Sequence, residues 1–195
     1  MRDIDRAIRD YPGVLYYARY VDDIFIIFCP LPNVGTRHFR QAIVNAFKKL
    51  ELKRNRSKTE ICRLGSGQSL SIQYLGYKFT FGNGSIELRM TNKKIDRYKQ
   101  RIDLSFSAYD KKSKKSEKKA RALLEKRVRF LTGNTRLVNN KKNVVSGIFF
   151  SSSLLTKLDD LQDLDDYLAT KISSLMPIMT PAIVTEIAIA ILISG

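Results

Sequence analysis

The sequence predicts an α+β protein, with a small antiparallel sheet and a packed helix over residues 1–90 and helices over residues 91–195. Before residue 90, short runs of β-branched and aromatic residues alternate with Gly, Pro and Asn, which is typical of strands and turns. After residue 90, apolar residues recur three and four positions apart, which is the period of an amphipathic helix. With 44% hydrophobic and 28% charged residues, the chain is expected to fold.

The first region is predicted to begin with a short helix, because Ile4 and Ile8 lie four residues apart. A hairpin follows, with apolar strand segments over residues 14–18 and 24–28 and the four residues 20–23 as its connection. Thr36 is predicted to cap the start of a second helix. The apolar face of that helix is predicted to contain Phe39, Ile43, Phe47 and Leu50.

Further strands are predicted over residues 59–64, 70–75, 77–81 and 85–90. Two amphipathic helices follow, joined by a flexible basic loop over residues 111–116. Their apolar stripes are predicted to be Ile95, Tyr98, Ile102 and Phe106 in the first helix, and Leu123, Leu124, Val128 and Leu131 in the second. The last helix is predicted over residues 154–168. Its acidic residues are expected to form a solvated face: Asp159, Asp160, Asp163, Asp165 and Asp166.

The charge balance predicts a polyanionic partner. The chain has 35 Lys and Arg against 19 Asp and Glu, a formal net charge of +16. Nucleic acid is the first candidate and an anionic membrane surface the second, and charge alone does not separate them. One His and two Cys without close spacing exclude a closed zinc site. Cys29 and Cys62 are predicted to be reduced, buried thiols, which favours a cytoplasmic location.

The motif Tyr20-Val21-Asp22-Asp23 carries the strongest chemical signal. Two adjacent carboxylates lie at a hairpin connection that has no Gly or Asn to ease the turn. Hard divalent cations such as Mg²⁺ prefer carboxylate oxygens and keep positions open for substrate phosphates. The alternative interpretation is an ordinary solvated acidic turn, and for an Asp-Asp pair considered alone it is the better one.

Motifs further along the chain favour the metal-binding interpretation over the solvated turn. Tyr20-Val21-Asp22-Asp23, followed by Lys58-Thr59 and then by Tyr74-Leu75-Gly76-Tyr77, resembles the reverse transcriptase family. The similarity is to the bacterial branches related to retrons, group II introns and antiviral defence. In order, the three motifs match the catalytic tetrad of the palm, the next palm motif and the primer-grip hairpin. Residues 131–137 with 147–151 are similar to the thumb of the defence branch, and the whole resemblance covers about residues 11–170.

The resemblance implies an RNA-directed DNA polymerase that joins dNTPs to a DNA primer on an RNA template with Mg²⁺ or Mn²⁺. Asp22 and Asp23 are then the metal ligands. Lys58 is expected near the triphosphate, as a charge or a proton donor, although a surface lysine is as good an interpretation. Tyr20 and Val21 are expected under the primer end, and the residues that position the primer backbone are Tyr74, Leu75, Gly76 and Tyr77.

The basic helices are expected to follow the hybrid duplex through its phosphates, without sequence readout. The residues chosen for this role are Lys93, Lys94, Arg97 and Arg101, with ordinary solvated side chains as the alternative.

The family also requires a third carboxylate from an upstream palm strand and a fingers region. Asp3, Asp5 and Asp10 lie in a helical pattern and do not substitute for that carboxylate. The sequence is therefore expected to represent late palm plus thumb, inactive alone, with fingers and early palm in a longer protein or a second chain. Two alternatives are a non-catalytic nucleic-acid-binding remnant and a basic peripheral membrane protein. The apolar residues 183–193 are too short and interrupted to span a bilayer, so no membrane partner is expected.

Overall fold

The computed structural model describes residues 2–65, 69–82, 84–137 and 144–175. The chain divides into two compact units, residues 1–63 and 64–195, and each is described by itself. This division groups the strands between residues 70 and 90 with the helices that follow them. The functional assignment of residues 1–90 and residues 91–195 as two separate regions stays a prediction.

The first unit is a two-stranded antiparallel hairpin packed against two helices. Its elements are helix α1 (Arg2–Arg9), strands β1 (Val14–Tyr20) and β2 (Asp23–Phe28), helix α2 (Thr36–Lys49) and a 3₁₀ turn (Arg56–Lys58). The core forms around Ile4, Ile8 and Phe39, which are buried together. The predicted apolar face of α2 is confirmed, because Ile43, Phe47 and Leu50 also pack against this core. Helix α2 does begin at Thr36, but Gly35 occupies the cap position and no side chain caps the helix.

The hairpin connection is shorter than predicted. Strand pairing continues to Tyr20 and Asp23, which lie opposite each other, so only Val21 and Asp22 form the loop. The predicted four-residue connection is therefore wrong. The sequence pattern marked only the apolar part of each strand, whereas backbone pairing continues through the polar ends.

The strand predicted over residues 59–64 is also wrong. After the 3₁₀ turn the chain has no regular structure up to residue 65, and among the described strands none pairs with it. Ile61 and Leu64 are 50% and 64% exposed, so the apolar residues that suggested a strand are not packed on a core. An isolated extended segment without a pairing partner has no ladder of hydrogen bonds to hold it.

The second unit combines a three-stranded antiparallel sheet with a helical bundle. Its elements are β3 (Leu70–Tyr74), β4 (Tyr77–Gly82), β5 (Ser85–Met90), α3 (Asn92–Ser113), α4 (Glu117–Thr132), β6 (Asn134–Leu137), β7 (Val144–Gly147), a 3₁₀ turn (Phe150–Ser152) and α5 (Asp159–Ser173). The order of the sheet is β3-β4-β5, and β6 pairs with β7 as a separate hairpin. The α+β class is thus confirmed as a mixture of helices and small antiparallel sheets. The β6–β7 hairpin was not predicted.

The helices α3, α4 and α5 share one apolar core. Ile102 and Phe106 of α3, Leu124 and Val128 of α4, and Leu168 of α5 are all buried in it, which confirms the central part of both predicted stripes. A second cluster forms around Met90, Ile148 and Leu164, and Ile95 and Tyr98 pack against it.

Two predictions about the helical region need correction. The first half of the predicted basic loop over residues 111–116 is helical, because α3 continues to Ser113; only residues 114–116 connect α3 to α4, which begins at Glu117. The last helix begins at Asp159 rather than at residue 154, and its acidic residues are not all solvated. Asp160 is 7% exposed and accepts a hydrogen bond from the Met90 backbone N–H at 2.8 Å. The buried carboxylate therefore joins the end of β5 to the start of α5.

Both cysteines are free, but they are not buried as predicted: Cys29 is exposed and Cys62 is partly exposed. Within the described ranges, no helix is long and apolar enough to cross a bilayer. The prediction about residues 183–193 lies outside the described residues.

Candidate metal and nucleic-acid sites

The Tyr20–Asp23 turn places two carboxylates at the end of the β1–β2 hairpin. Val21 has a φ of +57°, which is the left-handed region, while its loop partner Asp22 does not have a positive φ. A positive φ at the first loop residue is the pattern of a type II′ turn, where Gly is usual. For a β-branched residue this conformation is an outlier that costs about 1–3 kcal/mol, and it persists only when surrounding contacts impose it.

Arg19 supplies those contacts. Its Nη1 donates to the Val21 carbonyl at 2.7 Å, and its Nε and Nη2 donate to the two carboxylate oxygens of Asp5 at 2.6 and 2.9 Å. The Tyr17 hydroxyl donates to the same carboxylate at 2.6 Å. The turn is therefore connected to helix α1 through one guanidinium.

This network changes two pKa values. The hydrogen bonds from Arg19 and then from Tyr17 lower the pKa of Asp5 to about 2. Burial, followed by the hydrogen bond to Asp5, raises the pKa of Tyr17 to about 12. Asp5 is therefore ionised at neutral pH, with both oxygens already accepting hydrogen bonds from Arg19.

The carboxylates of the turn are open to solvent. Asp22 and Asp23 are exposed, and Tyr20 and Val21 are 63% and 68% exposed. Two adjacent carboxylates suit a hard cation that keeps most of its coordination positions for water or phosphate. Among the described residues, no group of three or more His, Cys, Asp or Glu side chains is arranged to hold a metal ion. The donor set thus fits part of a two-cation site and needs further ligands.

Lys58 lies in the same unit as the turn, at the end of the 3₁₀ turn that follows α2. The side chain of Asn55 caps this turn by accepting from the Ser57 backbone N–H at 3.1 Å. Lys58 is exposed, and the contacts of the described residues do not join it to Asp22 or Asp23. The structure brings the two carboxylates together but does not bring Lys58 to them.

The second predicted motif forms the turn between β3 and β4. Tyr74 lies opposite Tyr77, and both loop residues have a positive φ, +50° at Leu75 and +81° at Gly76. This is the type I′ pattern, which Gly adopts freely and Leu does not. The Gly76 carbonyl accepts a hydrogen bond from the Thr91 N–H at 3.1 Å, which ties the turn to the start of α3.

Tyr77 and Lys94 converge on one backbone carbonyl, that of Ser151. The Tyr77 hydroxyl donates to it at 2.6 Å and the Lys94 Nζ at 2.7 Å. The Lys94 ammonium also lies 4.8 Å from the centre of the Tyr77 ring. Burial lowers the pKa of Lys94. The Lys94 ammonium is thus engaged within the protein, by the Ser151 carbonyl and the Tyr77 ring. Ser151 was assigned no such role from the sequence, which carries no signal for this backbone contact.

The other three predicted basic residues form an exposed row on α3. Lys93, Arg97 and Arg101 lie four residues apart and are all solvent-exposed. Side chains four residues apart lie on one helix face. The row is therefore able to contact successive phosphates along a nucleic-acid backbone.

Arg101 also borders a groove between α3 and α4 that sequence reasoning missed. The groove has a volume of about 550 Å³ and is lined by Arg101, Leu104, Ser105, Ala108, Lys126, Arg127, Phe130 and Leu131. Leu104 and Phe130 are 61% and 59% exposed, and the lining contains three cations and no acidic residue. Of this lining only Leu131, in the apolar stripe of α4, and Arg101 were singled out from the sequence, because the groove is created by the packing of α3 on α4.

The candidate residues thus form two separate sets. Tyr20–Asp23 and Lys58 belong to the first unit, and the β3–β4 turn and the row on α3 belong to the second. A scan of protein-family models finds no match, and neither the curated proteins nor the solved structures contain a significant match. The functional argument therefore depends on the motifs and on the geometry of each unit.

Proposed function

We propose that this chain is the C-terminal portion of an RNA-directed DNA polymerase, with residues 1–90 contributing late palm and residues 91–195 the thumb. The observation that carries the proposal is the β1–β2 turn. It exposes Asp22, in a two-residue loop that Arg19 holds in a strained conformation, and the adjacent Asp23, the first residue of β2. Local strain that surrounding contacts maintain is characteristic of functional sites.

The chemistry follows from what exposed carboxylates can hold. Asp22 and Asp23 would hold divalent cations, which would supply activation of a primer 3′-hydroxyl and neutralisation of charge on the leaving pyrophosphate. In this proposal Asp22 would bind a cation directly and Asp23 would assist, while a third carboxylate would come from the fingers and early-palm half. Tyr20 and Val21, both well exposed, form the surface under the primer end. Lys58 attracts the dNTP triphosphate.

The second unit contributes nucleic-acid binding. Gly76 and Leu75 present the β3–β4 turn to the primer backbone, and the contacts of Tyr77 and Lys94 with Ser151 keep that turn fixed. The α3 row and the adjoining groove bind the RNA–DNA hybrid through phosphates. Such binding is independent of sequence and weakens steeply with salt.

The test is reconstitution. The chain is mixed with a separately expressed fingers and early-palm half, and extension of a DNA primer on an RNA template is measured with Mg²⁺ or Mn²⁺. We expect cation-dependent extension that Asp22→Ala abolishes, with hybrid binding unchanged. Asp163→Ala is the matched control, because Asp163 is an exposed carboxylate on α5, outside both candidate sites. Restored extension that survives Asp22→Ala would show the catalytic assignment to be wrong.

A non-catalytic nucleic-acid-binding remnant is the second candidate function. The observation that favours it is the donor set, since no third metal-binding side chain joins the carboxylate pair within the described residues. This function predicts hybrid binding with no extension from any supplied half, and no effect of Asp22→Ala on binding. Flotation with anionic vesicles tests the peripheral membrane alternative, which predicts co-flotation that high salt reverses.

Such a polymerase acts in retrons, intron mobility or antiviral defence. Of these roles we propose antiviral defence, because residues 131–137 and 147–151 are similar to the defence-type thumb.

A further inference from the structure

The guanidinium of Arg19 is divided between two tasks. Its Nε and Nη2 bind both oxygens of Asp5, and the remaining Nη1 donates to the Val21 carbonyl. A planar guanidinium binds a carboxylate through two parallel hydrogen bonds, so the Asp5 contact fixes the direction in which the third nitrogen points. The side chains of Arg19 and Asp5 are only 25% and 23% exposed, so water competes weakly for the two Arg19–Asp5 bonds.

The position of the third hydrogen bond gives it a specific effect. The Val21 carbonyl belongs to the peptide group that joins Val21 to Asp22. A hydrogen bond to this oxygen fixes the plane of that peptide, and the plane sets the direction from which the Asp22 side chain leaves the turn. The same bond opposes relaxation of Val21 from its left-handed conformation.

We propose that Arg19, oriented by Asp5, is a positioning residue that holds the Val21–Asp22 peptide in the conformation required for cation binding by Asp22 and Asp23. Its effect on the turn depends only on the contacts described above. Its consequence for cation binding rests on the proposed function.

A purely structural role offers a different explanation of the same contacts. The ion pair joins α1 to β1, so it would stabilise the unit even if the Val21 contact were incidental. The charge-swapped double variant Asp5→Arg/Arg19→Asp separates these roles. It retains an opposite-charge pair between α1 and β1, but a carboxylate at position 19 cannot donate to the Val21 carbonyl.

The experiment uses the full chain labelled with ¹⁵N and ¹³C. Backbone shifts of Val21 and Asp22 report the turn conformation, and broadening of the Asp22 and Asp23 signals by Mn²⁺ reports cation binding. The variants are Arg19→Lys, which loses the planar fork, and the charge swap. Arg9→Lys is the matched control, because Arg9 makes an exposed pair with Asp10 at 3.1 Å, away from the turn.

We expect Arg19→Lys and the charge swap both to move the Val21 shifts away from left-handed values. Both are also expected to weaken the apparent affinity for Mn²⁺ about tenfold, as is usual when a group supporting a metal ligand is lost. Arg9→Lys should change neither. The outcome against the proposal is unchanged Val21 shifts in Arg19→Lys, or full recovery of them in the charge swap.

Failure of the proposed function gives a different result. If Mn²⁺ broadens neither Asp22 nor Asp23 in the unmodified chain, even after the fingers and early-palm half is added, the metal assignment is wrong. The Val21 shifts of the variants still decide whether Arg19 sets the turn.

Discussion

At the residue scale, Val21 and Leu75 show where this sequence departs from local preference. Both are bulky residues at the first position of a hairpin loop, and both have a positive φ. Turns of this kind favour Gly, Asn or Asp, so the backbone conformation of the turn does not favour Val or Leu at these positions. Contacts outside the turn hold each one: Arg19 for the first, and the Thr91 N–H to Gly76 for the second.

Val21→Gly is expected to stabilise the chain, since Gly adopts a positive φ without steric strain. The relief of about 1–3 kcal/mol exceeds the entropic cost of about 0.5–1 kcal/mol that Gly adds, so the free energy of unfolding should rise by about 1 kcal/mol. Urea denaturation measures the change. Val44→Gly in the middle of α2 is the matched control and should destabilise by about 1 kcal/mol. Equal losses in both variants would show that Val21 is not strained.

The Asp5 carboxylate predicts a pH dependence of stability. Its pKa in the folded chain, about 2, lies below the ordinary value of 3.8, so its contribution is complete above about pH 4 and is lost as the pH falls towards 2. Asp5→Asn should therefore destabilise the chain at pH 6 and make little difference near pH 2. Denaturation of the unmodified chain and of Asp5→Asn between pH 2 and pH 6 measures the difference in their free energies of unfolding. Asp10→Asn is the control, and as half of an exposed pair it should cost less than about 1 kcal/mol at pH 6.

At the element scale, the second unit is held together by polar contacts between distant elements. Asp160 at the start of α5 binds the backbone at the end of β5, and Tyr77 and Lys94 bind the carbonyl of Ser151. The Asp160 contact satisfies a backbone N–H that would otherwise be buried without a partner. These contacts fix the sheet against the helices of the same unit.

Asp160→Ala is expected to destabilise the chain by about 1–3 kcal/mol, because it leaves the Met90 N–H buried without an acceptor. Asp163→Ala removes an exposed carboxylate from the same helix and should stay within about 0.5 kcal/mol. Thermal and urea unfolding measure both. Similar small effects for the two variants would mean that the Met90 N–H finds another partner.

At the scale of the whole molecule, part of the net charge of +16 is concentrated on one surface of the helices α3 and α4. The exposed row of Lys93, Arg97 and Arg101 adjoins a groove that also contains Lys126 and Arg127. Cations grouped along one surface attract a polyanion more strongly than the same charges spread over the molecule.

Replacement of Lys93, Arg97 and Arg101 by Gln should weaken binding to an RNA–DNA hybrid and reduce its salt dependence. The slope of log K against log salt is negative, and each lost phosphate contact reduces its magnitude by about 0.9. Fluorescence anisotropy at several salt concentrations measures the slope. The control replaces Lys114, Lys115 and Lys118 by Gln. These residues are exposed near the α3–α4 connection, and their replacement removes the same net charge. If both triple variants change the slope equally, binding depends on total charge and not on the α3 row.

The sequence by itself determined most helices and strands, because apolar periodicity and turn residues act locally. It identified the apolar face of α2, the β3–β4–β5 meander and the central stripes of α3 and α4. It also singled out Asp22 and Asp23 as candidate ligands. It misjudged the β1–β2 loop because backbone pairing continues beyond the apolar pattern, and the start of α5 because the apolar residues begin before the helix does.

Only the tertiary structure decided which polar groups meet. The bond from Arg19 to Asp5 spans fourteen residues and that from Lys94 to Ser151 spans 57, and the α3–α4 groove exists only when two helices pack. Such contacts depend on how separate elements are arranged in space. No periodic pattern records them, so the residues that hold each turn emerged only from the folded chain.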